Sequence, residues 1–323
     1  MKHRVKSLEP IMQKKITYLR GIEVEESIEI VRHCFFSDVE MKFLERIVRN
    51  VAEFQNAYHD MLKYWNYERY LEEAYAATQN KVSKYYGVCE VCNAPQPLVV
   101  DYQSADVREG REVPNWRERL VCPNCGCNNR QRFIIRTVFE NYRLGMNVLL
   151  YEQVSSVFQR IKEEIPTVEG FEYFGEGFVS GAVYDHVIYQ NICDMTYPDE
   201  SFDLVISNDV FEHVYDYERA FREACRVLKK RGKLIFTVPF NANNSKTELR
   251  TVSDEGKISY LMEPVYHDNP VEKHPPLLVY QIFGWDILDL LEKCGFSDAY
   301  AKVYYGMKEG YLGYLPMYFE AYK

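Results

Sequence analysis

Asp194-Met195-Thr196-Tyr197-Pro198-Asp199-Glu200-Ser201-Phe202-Asp203-Leu204-Val205-Ile206-Ser207-Asn208-Asp209-Val210-Phe211-Glu212-His213-Val214 runs on, twelve residues later, into Arg226-Val227-Leu228-Lys229-Lys230-Arg231-Gly232-Lys233-Leu234-Ile235-Phe236-Thr237-Val238-Pro239. Phe202 to Ile206 is a short apolar run with the character of a parallel strand buried on both faces. Over 215–229, Tyr217, Ala220, Phe221, Ala224, Val227 and Leu228 recur at helical spacing. Glu218, Arg219, Arg222, Glu223 and Arg226 are left for solvent, which predicts a crossover helix. Lys229-Lys230-Arg231 suit the negative end of its dipole, Gly232 is placed to turn left-handed, and Lys233 to Val238 reads as a second buried strand. A right-handed strand-helix-strand unit follows.

In sheets of this kind ligands sit beyond the carboxyl ends of the strands, where Asp194, Asn208, Asp209, Glu212, His213 and the segment after Pro239 should emerge. The Asp194–Pro239 pattern resembles that of class I S-adenosylmethionine-dependent methyltransferases. The resemblance implies an α/β fold with a doubly wound, mostly parallel Rossmann-like sheet and S-adenosylmethionine as cofactor. It makes Asp194, with Met195 beside it, the acid that receives the adenine amino group. It sets Asn208 at the strand end bordering the methionine part of the cofactor, and makes Glu176 the acid that holds the ribose hydroxyls. A carboxylate at Glu176 can accept from both hydroxyls at once. Taken alone, Asp194 reads as a loop acid or helix cap and Glu176 as a turn residue.

Upstream the chain departs from that family. The first strand candidate, Asn147 to Tyr151, is followed by Glu152-Gln153-Val154-Ser155-Ser156-Val157-Phe158, with no glycine to let backbone approach a ligand closely. Ser155 or Ser156 can cap the next helix, and Glu152 can face the cofactor's ammonium group or serve as a solvated acid. Phe171 to Phe174 reads as the second strand. The family's proline-glycine-glycine after the crossover helix is Lys230-Arg231-Gly232 here. A degenerate fold serving as a binding or scaffold module is the alternative these departures raise.

Cys89-Glu90-Val91-Cys92 and Cys122-Pro123-Asn124-Cys125 form two knuckles separated by 29 residues. Two such turns can set four thiolates tetrahedrally around Zn2+, and the competing reading is a pair of disulfides or four buried thiols. Cys127 lies just past the second knuckle, and its role stays open. A run from Cys122 to Phe139 leads straight into the first strand, an order that resembles a bacterial subgroup with a zinc ribbon fused ahead of a methyltransferase fold. That resemblance extends over about 89–323.

The layout expected is a helical N-terminal domain at 1–85, a zinc ribbon at 86–130 and a methyltransferase-like domain at 131–323 with an insertion at about 240–282. In the first part Phe43, Leu44, Ile47, Val48, Val51, Phe54, Tyr58, Met61, Leu62 and Trp65 recur at helical intervals, Glu68 to Tyr85 reads as another helix, and shorter pieces fall within 11–34. These helices offer a surface for homo-oligomerisation. The chain's 323 residues exceed a single core, and its net charge of −9 argues against nucleic acid as the main partner, although an RNA methyltransferase using the zinc ribbon is a further alternative. Arg130, Arg132 and Arg136 read as a solvated helix face. No apolar run approaches bilayer length, no signal-peptide core is visible and cysteine usage fits a reducing compartment, so a cytoplasmic location is expected.

Methyl transfer is an in-line displacement that depends mainly on alignment, and an acceptor must also lose a proton. His213, beyond the strand carrying Asp203, and His267, in the insertion, are the candidate bases. Asp209, Glu212 and His213 also resemble the acid-acid-histidine set that binds magnesium in ubiquinone-biosynthesis O-methyltransferases. The expected acceptor is an oxygen or nitrogen of a small molecule or glycan.

Overall fold

The computed structural model describes residues 43–77, 81–108, 110–175, 177–254, 257–267, 269 and 275–323. The pieces expected within 11–34, and Glu176, lie outside them. Along the chain run β1 (Leu44–Val48), α1 (Val51–Ala77), β2 (Val82–Cys89), β3 (Ala94–Asp101), α2 (Asn129–Asn141), β4 (Val148–Leu150), α3 (Ser156–Glu164) and β5 (Glu169–Gly170). There follow β6 (Phe202–Asn208), α4 (Tyr217–Val227), β7 (Leu228–Thr237), β8 (Tyr266–His267), β9 (Leu277–Leu278), α5 (Asp286–Lys293), β10 (Asp298–Tyr305) and β11 (Met317–Tyr322). The chain divides into two compact units, one taking in His59–Phe133 and Tyr305–Pro316, the other Glu45–Tyr58, Ile134–Tyr304 and Met317–Lys323.

The larger unit is built on a seven-stranded sheet in the order β1-β10-β11-β7-β6-β4-β5. Neighbours β5, β4, β6 and β7 pair in parallel, while β11 runs antiparallel to both β7 and β10, so β10 points the same way as the parallel set. This is the mostly parallel α/β sheet expected. Leu204, Val205 and Ile206 are buried, as a central strand requires. Helix α4 starts where the Asp216 carboxylate accepts from Arg219 N at 3.1 Å and buries Ala220, Phe221, Ala224, Cys225 and Val227. Phe221 stacks on Phe211 with centroids 4.1 Å apart, each ring worth about 1.5–3 kcal/mol of burial.

The end of α4 differs from expectation. The helix stops at Val227 and β7 begins at once, with Lys229–Gly232 looped out between Leu228, paired to Phe202, and Lys233, paired to Leu204. The left-handed residue is Arg231, at φ 65°, not Gly232. Gly232 is needed for another reason, because a Cβ there would stand 2.8 Å from Lys229 O.

Two helical expectations are corrected. Leu44–Val48 is a strand at the sheet edge, and Val82–Cys89 is a strand paired antiparallel to β3. In β2, Ser83, Tyr85, Gly87 and Cys89 are buried while Val82, Lys84 and Tyr86 are exposed, an alternation of two that the run of tyrosines disguised. The second strand is also shorter and earlier than read: Glu169–Gly170 pairs with Leu149 and Leu150, and Glu172 forms a single bridge to Tyr189.

In the smaller unit Glu68 is buried on α1 and accepts from Gly313 N at 2.7 Å. Arg132 is also buried, donating to Glu309 O at 2.8 Å and Gly310 O at 3.0 Å, and Arg130 pairs with Glu118 at 2.9 Å. These two arginines are structural, not a solvated face: chain carbonyls and a carboxylate consume the donors that phosphate would need. No helix among the described residues is long and apolar enough to cross a membrane.

Candidate functional site

Glu152 and Asn208 stand just beyond β4 and at the end of β6, neighbouring parallel strands, and the Asn208 amide donates to the Glu152 carboxylate. This is the carboxyl edge, where open parallel sheets bind ligands. Asn208 Oδ1 is buried there without a hydrogen-bond partner among the described residues.

The glycine-free turn between β4 and α3 is held from across the sheet. Glu172, which the sequence reading passed over, accepts from Gln153 N at 2.7 Å and Val154 N at 2.9 Å. Burial raises its pKa, and these two amides act against the rise. Gln153 clamps the turn further, donating to His186 O at 3.1 Å and accepting from Ile188 N at 2.9 Å. Ser155 caps α3 by accepting from Phe158 N at 3.1 Å. Gly170 on β5 lets that strand pass close to the turn, since a Cβ there would meet both Glu152 O and the Phe158 ring at 2.6 Å. The legible signal for Glu172 was a single acid inside the apolar run Phe171–Phe174.

Asp194 is exposed, its carboxylate 3.7 Å from Arg219 Nη2. Met195 is buried, and its N–H donates to Glu223 Oε2 at 2.9 Å.

The two candidate histidines are brought together. Glu212 and His213 lie on a short 3-10 turn, Phe211–His213, that begins after Asp209, so Asp209 is outside it. His213 Nδ1 is 2.8 Å from Leu278 O, and Tyr280 N donates to Glu212 O, which ties the turn to the insertion. His267 Nδ1 approaches His213 Nε2 at 3.1 Å, with the two rings edge to face. Glu212 Oε1 is 3.6 Å from His213 Nε2 and 3.7 Å from His267 Nδ1. Burial lowers the pKa of His213 to about 4. Glu212, His213 and His267, without Asp209, form one of two ligand-rich clusters among the described residues.

The other cluster, in the smaller unit, is Cys89, Cys92, Cys122 and Cys125, whose sulfurs all lie within 4.8 Å of one another. Sγ separations are 3.8 Å for Cys89–Cys125 and 3.7 Å for Cys92–Cys122, against about 3.8 Å for the edge of a tetrahedron with Zn–S bonds of about 2.3 Å. The residue after each knuckle is left-handed, Asn93 at φ 49° and Gly126 at φ 73°. Asn124 Nδ2 donates to Cys92 Sγ at 3.2 Å, as a second partner to a thiolate would. The Cys89 thiol is pushed well up by its hydrogen bond with Cys125 and by burial, the environment a cation would reverse. Cys127 is buried with its sulfur 3.6 Å from Cys125 O and is not one of the four.

Comparison with known proteins adds a match of residues 173–236 to the family described as "Methyltransferase domain". The chain is 29% identical over 150 residues to a glycine/sarcosine/dimethylglycine N-methyltransferase of Actinopolyspora halophila, covering 46% of this chain and 24% of that protein. Over 51 residues it is 51% identical to a sarcosine/dimethylglycine N-methyltransferase of Halorhodospira halochloris, 16% of this chain and 18% of that one. The chain thus spans a quarter or less of the length of these relatives. Among solved structures, an S-adenosylmethionine dependent methyltransferase from Mesorhizobium loti is 15% identical, with a TM-score of 0.37, over 60% of this chain and 97% of that chain. Phosphoethanolamine N-methyltransferase 2 of Haemonchus contortus is 18% identical, with a TM-score of 0.34, over 55% and 39%. The residues that match this family, 173–236, lie in and around β6, α4 and β7.

Proposed function

We propose that this protein transfers a methyl group from S-adenosylmethionine to a nitrogen of a small-molecule acceptor. The observation that carries the reading is the meeting of Glu152 and Asn208 at the carboxyl edge of two parallel strands, one of which lies inside the matched segment. The names of the two relatives, which act on glycine, sarcosine or dimethylglycine, support nitrogen as the acceptor atom.

The acceptors present fit the cofactor. Glu152 supplies a carboxylate for its ammonium group, the buried Asn208 Oδ1 an acceptor, and the exposed Asp194, beside Met195, a carboxylate for its adenine amino group. When bound, the cofactor supplies a methyl carbon on a positively charged sulfur. This chain's own part is to align and to exclude water. His213 and His267 border the same strand end, and we place the acceptor beside them. Zinc on the four cysteine thiolates is proposed as a structural ion of the smaller unit.

The test is incubation of the full chain with methyl-labelled cofactor and glycine, sarcosine, dimethylglycine and simple sugars in parallel. Label on an amine supports the reading, and label on sugar oxygen alone overturns the choice of nitrogen. A binding-only role is favoured by one observation, that Glu172 already occupies the amides of Gln153 and Val154 which a ligand could use. Calorimetry separates the two, since the binding-only role predicts no heat with millimolar cofactor.

A further inference from the structure

We infer that Glu212, His213 and His267 form a binding site for a divalent transition-metal cation, distinct from the four-cysteine cluster. Three electron-pair donors converge on one point. The distances among Glu212 Oε1, His213 Nε2 and His267 Nδ1 are 3.1, 3.6 and 3.7 Å. The circumradius of a triangle with those sides is about 2.0 Å, the length of a bond from a metal to imidazole nitrogen or carboxylate oxygen.

The surroundings orient the donors as a metal site requires. His213 Nδ1 gives its proton to the Leu278 carbonyl at 2.8 Å, which leaves the lone pair of the neutral ring on Nε2, the atom facing the other two ligands. Glu212 is fully buried, and a carboxylate so far from water is held by a cation or by strong hydrogen bonds. Its main-chain carbonyl accepts from Tyr280 N, and Gln281 Nε2 donates to Phe211 O at 2.8 Å, so the turn presenting the ligands is fixed on both sides. His267 comes from β8, whose partner β9 carries Leu278, so the third ligand and the carbonyl that orients the second belong to one hairpin.

Two imidazoles and one carboxylate suit Zn2+, Fe2+, Co2+ or Mn2+ better than Mg2+, which prefers an all-oxygen shell. Three protein ligands leave coordination positions open. Resting on the methyl-transfer reading, those positions face an acceptor with an amine or carboxylate and fix its orientation. Metal binding itself does not depend on that reading.

The experiment is a Co2+ titration of the full chain, carrying zinc on its four cysteines, followed by visible absorption. One equivalent with d–d bands and no thiolate-to-cobalt charge transfer is expected. His267→Ala, a half-exposed position on a short hairpin, should weaken Co2+ binding at least tenfold, and Glu212→Gln should do likewise. Co2+ should also raise the melting temperature of the parent chain and leave that of His267→Ala unmoved. Equal binding by parent and variants, cobalt only on thiolates, or a proton shared between His213 and His267 in nitrogen NMR with no cobalt uptake would each overturn the site.

Discussion

A Cβ on Gly170 would lie 2.6 Å from the carbonyl oxygen of Glu152, so strand β5 passes the β4–α3 turn at a distance that only glycine allows. The second obstacle, the Phe158 ring at 2.6 Å, is itself buried and has little room to swing away. Gly170→Ala should therefore destabilise the larger unit by about 1–3 kcal/mol, an overpacking cost. Urea unfolding followed by tryptophan fluorescence measures it, and a variant as stable as the parent would show that the turn can shift.

Asn208→Ala removes the partner of Glu152 along with the buried Oδ1. Cofactor affinity should fall roughly tenfold, the loss of one or two hydrogen bonds, while the strand stays folded on its apolar neighbours. Calorimetric titration with S-adenosylmethionine reads the change, and unchanged affinity would place the cofactor elsewhere.

Glu320 is buried among Lys233 Nζ at 3.0 Å, Lys302 Nζ at 3.1 Å and the hydroxyls of Tyr300, Tyr318 and Tyr322. Burial alone would raise its pKa, but hydrogen bonding and charge from Lys233, with Lys302 and Tyr300, bring it from 4.5 down to about 2. A depressed folded pKa adds stability above pH 4.5 that is lost as pH falls toward 2, on the order of 3 kcal/mol. Glu320→Gln leaves two lysines without their shared counter-charge and should cost about 3–5 kcal/mol at pH 7, with the acid-side slope flattened in denaturant titrations.

Glu68 slopes the other way. Burial raises it from 4.5 to about 7 despite the bond from Gly313 N. Its contribution is complete below pH 4.5 and is lost as pH rises through 7, again by about 3 kcal/mol. Glu68→Gln should leave the smaller unit more stable than the parent at pH 8 and equal to it at pH 4.5. Hydrogen exchange of α1 amides at the two pH values checks this.

Chelation, or Cys89→Ser, should remove one equivalent of zinc and destabilise the smaller unit by at least about 3 kcal/mol. Metal analysis with thermal melting tests it. Full zinc retention by the serine variant would break the four-cysteine assignment.

The local chemistry of the chain settled the elements whose meaning sits in consecutive residues. The apolar run of β6 and the amphipathic spacing of α4 up to Val227 each depend on neighbours a few residues away and are seen as read, and each Cys-x-x-Cys knuckle is legible in the same local way. Where the outcome hung on contacts distant in sequence, the order of residues was silent or misleading. Glu172 reads as a misfit in a strand until the turn amides of Gln153 and Val154 are beside it. Arg132 looks like a solvated cation before the carbonyls of Glu309 and Gly310, some 177 positions on, enclose it. The pairing of His213 with His267 across 54 positions belongs to the same class. Periodicity encodes which face of an element is buried, but hydrogen-bond partners and ligand sets are fixed only when chain segments converge, and that is a property of the tertiary fold.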